Sequence, residues 1–182
     1  MISRRRTLGR PAGALAAAVL AAGCAGGHPA AAPGRAPAPG MPAPPASLVR
    51  VPRPDYASPA SVAAAFYTAW AGVDTVHDTP GSFAARCAPL STPALERQLS
   101  DSQPPTAAWQ QMRAARMVSL VQVRAVTRPD GAPAPTASTT YLRVYATRVT
   151  VTASGRTTAS DGVTLRLALA GGRWLVSAVL FY

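Results

Sequence analysis

Lysine is missing from the chain altogether, and its 182 residues include only seven acids, two histidines and two cysteines. Every basic residue is therefore arginine, and with alanine, proline and glycine so abundant this reads as the codon bias of a G+C-rich bacterial genome. Arginine number alone is then no nucleic-acid signal. Cys24 and Cys87 sit in unlike contexts, one in a leader and one in a domain, so no structural disulfide is expected. The one apolar run, residues 14–22, is too short and too alanine-rich for a membrane span, which needs roughly 20 apolar residues.

What is present begins with an address. Arg4, Arg5, Arg6 and Arg10 precede that apolar run, and small residues end it at Cys24. A basic start, a short apolar core and a small-residue end describe a secretory signal peptide over residues 1–24. Leu20-Ala21-Ala22-Gly23-Cys24 resembles a bacterial lipobox, which implies that Cys24 is lipidated after cleavage, although Ala21 stands where leucine is usual. Ser3-Arg4-Arg5-Arg6-Thr7-Leu8 is similar to a twin-arginine export motif, with Thr7 in place of the customary phenylalanine. Residues 25–55 carry nine prolines and almost no large apolar side chains, so they cannot offset their own ordering entropy and read as a disordered tether. At about 3.1 Å per residue, some thirty residues reach ~90 Å from a membrane. Without the first ten residues, fourteen basic residues face seven acidic ones, a net charge of +7 that suits anionic surroundings without choosing among them.

The domain is expected over residues 56–182. Ser58-Pro59 is a helix start, a serine cap followed by proline at the first helical position. Val62, Ala65, Phe66, Ala69 and Val73 recur at helical spacing behind it. Short helices are predicted over Ser82 to Ala88, after Thr92-Pro93 with Leu95 and Leu99 inward, and over Thr106 to Arg116. Strands follow. Met117 to Thr127 is valine-rich, and Thr139 to Thr152 alternates, but its apolar parity moves from Leu142, Val144 and Ala146 to Val149 and Val151. That switch predicts a bulge near Thr147-Arg148 and a curved sheet. Ser154 to Gly162 reads as a polar connection. Val163 to Tyr182 is a hairpin turned by Gly171-Gly172, with Leu167 and Trp174 the foremost core candidates. The class is α+β: N-terminal helices packed on a curved antiparallel sheet of about four strands.

From Ser58-Pro59 through Trp70 to the closing Gly171-Gly172-Arg173-Trp174-Leu175-Val176-Ser177, the chain resembles a nuclear-transport-factor-2-like (cystatin-type) domain, over residues 55–182. The resemblance implies a cone of sheet and helices. Some members of that family are isomerase-like or cyclase-like enzymes with acidic, tyrosyl or histidine groups inside the cone. Others are silent envelope proteins, including assembly components of type IV secretion and conjugal transfer systems, and a lipidated, tethered copy is more similar to these.

Proton abstraction needs a base and an oxyanion donor on rigid elements. Asp74, Asp78, Glu96, Asp101, Asp130 and Asp161 all fall outside the predicted strands, which offer tyrosines but no histidine. Asp74-Thr75-Val76-His77-Asp78 reads as solvated turn residues rather than a metal or base site, and Cys87 as a small buried side chain. No cofactor is implied. Tyr141, Arg143 and Tyr145 share one side of a strand, opposite Leu142, Val144 and Ala146, and form the candidate partner-binding face. The reading is a non-catalytic, membrane-tethered lipoprotein on the extracytoplasmic side, an interaction or assembly module with envelope protein partners and no nucleic acid. The alternative is a small-molecule carrier or degenerate isomerase-like or cyclase-like enzyme using the cone.

Overall fold

The computed structural model describes residues 46–181, so the signal peptide, Cys24 and most of the tether lie outside the described residues. Helix α1, Pro59–Ala71, starts where its cap predicts: the Ser58 hydroxyl accepts from the Ser61 N–H at 3.3 Å, and Pro59 needs no hydrogen-bond acceptor there. Eight of its thirteen residues are buried, which is more than one amphipathic stripe can supply. The helix touches four strands on one side and the next helix on the other. It ends at Gly72, where a Cβ would sit 2.6 Å from Val49 and 2.7 Å from the Thr68 carbonyl oxygen. That close approach demands glycine, and it lets Val49, from the stretch read as tether, bury against the domain.

Three shorter helices follow, α2 (Ser82–Cys87), α3 (Pro93–Asp101) and α4 (Thr106–Ala114), close to their predicted places. Leu95 and Leu99 of α3 point into the core as expected.

The sheet is antiparallel, and among the described residues it has five strands rather than four, in the order β1 to β5. The extra one is β1, Val73–Asp74, a two-residue strand paired with β2 (Val118–Thr127) directly after α1. The third, β3 (Thr139–Thr152), pairs without interruption with β4 (Gly155–Ala170), and β5 (Arg173–Leu180) closes the edge. The polar connection expected up to Gly162 is thus the first half of β4. No alternation marks it, because that end of the hairpin is exposed on both faces.

The bulge is also one strand away from its predicted place. β3 keeps register through Thr147-Arg148, while β2 slips at Arg124, between Val123 opposite Ala146 and Ala125 opposite Tyr145. The parity switch in β3 has another origin: Val149 faces Leu120 and Val151 faces Val118 across the outer side of the sheet. A second slip places Ser177 of β5 out of register between Arg166 and Leu167. Bulges of this kind sharpen local twist, and the sheet curls around α1.

The terminal hairpin forms as predicted. Gly171 and Gly172 have φ of 58° and 75°, both in the left-handed region that a tight two-residue turn of this hand requires. On the helix side Val144, Leu165, Leu167 and Val176 meet Phe66 and Tyr67 of α1, all fully or almost fully buried. Trp174 is only half-buried at the margin, its backbone N–H held by the Tyr56 carbonyl oxygen at 2.9 Å. Leu167→Ala should therefore cost about 2–5 kcal/mol, the range for a large aliphatic side chain at a filled site. Trp174→Ala should cost less despite the larger side chain, and urea unfolding of the two variants would show the order.

Candidate functional site

Two sides of the sheet offer different chemistry. On the helix side, the ionisable groups grouped around the sheet centre are Tyr67 of α1, Arg148 of β3 and Asp161 of β4. Asp161 sits opposite Ala146 inside a strand, which overturns its reading as part of a polar connection outside the strands. Its Oδ2 pairs with Arg148 Nη2 at 3.0 Å and its Oδ1 accepts from the Gly162 N–H at 2.9 Å, so both carboxylate oxygens are engaged. The Tyr67 hydroxyl is buried without a hydrogen-bond partner. Burial pushes its pKa far up and Asp161 adds to the rise, with Arg148 opposing, so Tyr67 stays a neutral phenol.

The cluster read as solvated turn residues is instead an internal knot. Asp74 is fully buried. It accepts from the Leu48 N–H at 2.8 Å, the Val76 N–H at 3.1 Å and the His77 ring Nδ1 at 2.7 Å. Its own N–H donates to Asp78 Oδ2 at 3.0 Å, and Arg86 Nη1 lies 2.9 Å from both Asp78 oxygens. Arg86 Nη2 then reaches the Gly72 carbonyl oxygen at 2.8 Å, satisfying the end of α1. Among the described residues no group of three or more histidine, cysteine or acidic side chains is arranged to hold a metal ion. Cys87 is fully buried and its thiol is pushed up to about 12 by burial, partly offset by Arg86, which leaves it protonated.

The predicted face lies on the outer side of the sheet, away from the helices. Leu142, Val144 and Ala146 turn inward as expected; Tyr141 and Arg143 are half-buried and Tyr145 is 44% exposed. The Arg143 guanidinium carbon lies 5.5 Å from the centre of the Tyr145 ring, a cation–π distance. What the alternation could not reveal is how the connection from β2 to β3 folds. Ala132 N–H bonds back to the Pro129 carbonyl oxygen, and Arg128 reaches the Ala132 carbonyl oxygen, so Pro129-Asp130-Gly131 turns tightly. The turn walls a pocket of 310 Å³ against Tyr141, Arg143 and Thr164, the last directly opposite Arg143 in the ladder. Within this neighbourhood Arg143 Nε and Thr164 Oγ1 are buried with no hydrogen-bond partner.

A second surface feature also escaped sequence reading. Trp70 and Phe83 divide two apolar hollows of 270 and 290 Å³, one continued by Trp109 and Met112, the other by Leu99 and Phe181. Their tryptophans line the surface rather than fill the centre, and Phe181 is 76% exposed.

Fold and site together define an α+β domain with helices on one side of a curled antiparallel sheet and a mixed aromatic, basic and apolar surface on the other. No protein-family model and no curated protein matches the chain. Among solved structures, the intermembrane space region of chloroplast protein ARC6 is similar over 71% of this chain and 97% of that chain, at 11% identity. The TM-score is 0.35, too low to bear on function.

Asp74 yields a pH prediction. Burial alone would raise its pKa, but the hydrogen bonds from Leu48, His77 and Val76 outweigh burial and hold it below its ordinary value. An unfolded aspartate titrates near ~3.9, so this stabilisation is fully present above about pH 4 and is lost as pH falls through the lower folded value. Asp74→Ala should cost about 3 kcal/mol at pH 7 and flatten the loss of stability below pH ~4. Urea titrations at a series of pH values would check both, and an acid limb as steep in the variant as in the wild type would assign the effect to other carboxylates.

Proposed function

We propose that the chain is a non-catalytic lipoprotein of the cell envelope. In this reading Cys24 carries the lipid anchor on the extracytoplasmic side of the membrane and the proline-rich stretch is the spacer. The domain, of the nuclear-transport-factor-2-like type, is an interaction or assembly module for envelope proteins, as in the accessory parts of secretion and conjugation machines. No helix among the described residues is long and apolar enough to cross a membrane; the proposal rests attachment on the lipobox-like sequence at Cys24.

The observation that carries the reading is the outer side of the sheet. Leu120, Tyr145 and Val151 are each more than 40% exposed on it, beside the half-buried Arg143. Aromatic and arginine side chains flanked by uncovered apolar ones are the composition of binding surfaces. The carrier or enzyme reading in the cone has less support, since Phe66, Tyr67, Leu165 and Leu167 fill the space between helix and sheet.

Cross-linking in native membranes followed by co-purification tests the module. A Leu120→Ser/Tyr145→Ala double variant should lose about nine-tenths of a specific envelope partner, as expected when two exposed contacts worth roughly 1 kcal/mol each are removed, with Tm unchanged. Equal recovery from wild type and variant overturns the surface assignment. Metabolic labelling with a fatty acid tests the anchor: label on the wild type and none on Cys24→Ala is expected, and an unlabelled wild type disproves lipidation.

A further inference from the structure

Two residues that line the pocket under the β2–β3 turn carry buried donors that bond to nothing in the fold. Thr164 is 2% exposed, and its hydroxyl has no partner; Arg143 Nε, beside it in the ladder, has none either. Buried polar atoms without partners are few in native structures and each asks for a reason. Here both belong to residues that line the same 310 Å³ space, which is about the smallest volume typical of small-molecule sites. The carboxylates found in ion pairs among the described residues are engaged with His77, Arg86 and Arg148, and Asp130 of the lining makes none of those pairs.

We propose that this pocket binds a carboxylate carried on an apolar or aromatic body. A carboxylate fits because it accepts only, and the lining residues Arg143 and Thr164 carry a guanidinium and a hydroxyl with donors that no group of the fold takes up. The walls suit the rest of such a ligand: the Tyr141 ring and the Pro129 and Pro133 rings are apolar and rigid. Charge selects against a phosphate dianion. Arg143 is the one cationic side chain in the lining, and Asp130 is also part of it, so a second negative charge on the ligand meets repulsion rather than a partner. The same carboxylate chemistry is offered by a small free acid and by the C-terminal residue of a peptide. The inference deepens the reading of the outer side as a binding surface, and its probes need no envelope partner, so the two fail separately.

The full chain in detergent, titrated calorimetrically with sodium benzoate, N-acetylphenylalanine, N-acetylphenylalanine amide and inorganic phosphate, tests it. Saturable binding of at least one of the two acids is expected, with the amide about tenfold weaker or worse, the ratio for loss of one charge-assisted hydrogen bond. Benzoate binding points to a free acid; binding of N-acetylphenylalanine alone points to a chain end. Thr164→Val separates binding from folding, because it removes a hydroxyl that the fold does not use. It should weaken the acid about tenfold while Tm stays the same or rises. Arg143→Gln should abolish saturation. Failure of both acids to saturate, phosphate saturating in their place, equal binding of acid and amide, or unchanged affinity in Thr164→Val would each overturn the proposal.

Discussion

Burial of one helix inside the curl of one sheet is the constraint on which the rest of this domain depends. Helix α1 is in contact with β2, β3, β4 and β5, and residues on nearly every side of it are shielded from water. A flat sheet can touch a helix along only one stripe, so contact with four strands requires curvature, and the slips at Arg124 and Ser177 lie in the strands that flank the central pair. Each fully buried large side chain in this interface, Phe66 or Leu165 for example, contributes roughly 1.5–3 kcal/mol of apolar transfer. Because α1 takes one side of the sheet, the other is left without a helix among the described residues.

That division of sides governs which polar groups are internal and which are available. Around the end of α1 the polar groups are mutually satisfied: Asp74 gathers Leu48, Val76 and His77, while Asp78 and Arg86 connect the β1 backbone to the helix carbonyls. Removing any member leaves another buried group short of a partner, so the knot is under structural demand and has little freedom to do chemistry. On the outer side the reverse holds. Arg143 leans toward Tyr145 yet leaves Nε unpaired, and Thr164 is buried with an idle hydroxyl. Groups of that kind are not needed by the fold, which is the physical reason to look there for a ligand.

The features legible in the sequence were those written in local chemistry. Ser58-Pro59 specifies a helix start by one hydroxyl and one missing N–H, and Gly171-Gly172 specifies a turn by backbone conformations that other residues resist. Alternation likewise found the two sides of β3 around Val144. What it could not find were features made by distant partners. The first half of β4 is a strand because β3 extends far enough to pair with it, not because its own residues alternate in burial. Val149 and Val151 implied a bend only because Leu120 and Val118, a strand away, were not known to meet them.

The same distinction explains Asp161 and Asp74, two of the acids whose surroundings the sequence misrepresented. An aspartate followed by glycine is ordinary turn chemistry, yet Gly162 in β4 lies where a Cβ would come within 3.1 Å of the Val144 carbonyl oxygen, so the glycine there answers to strand packing. Asp74 follows a helix end, a place where solvated carboxylates are common, but Leu48 returns from 26 residues earlier to close over it. In both cases a short motif has one local meaning and a different tertiary one, and burial decides between them. The candidate site follows the same logic: Tyr141 and Arg143 were visible as one side of a strand, whereas Thr164 and the Pro129–Pro133 wall joined them only through the ladder and the fold of a connecting turn. A binding surface assembled from three separate segments leaves only its strand-borne part in the linear pattern.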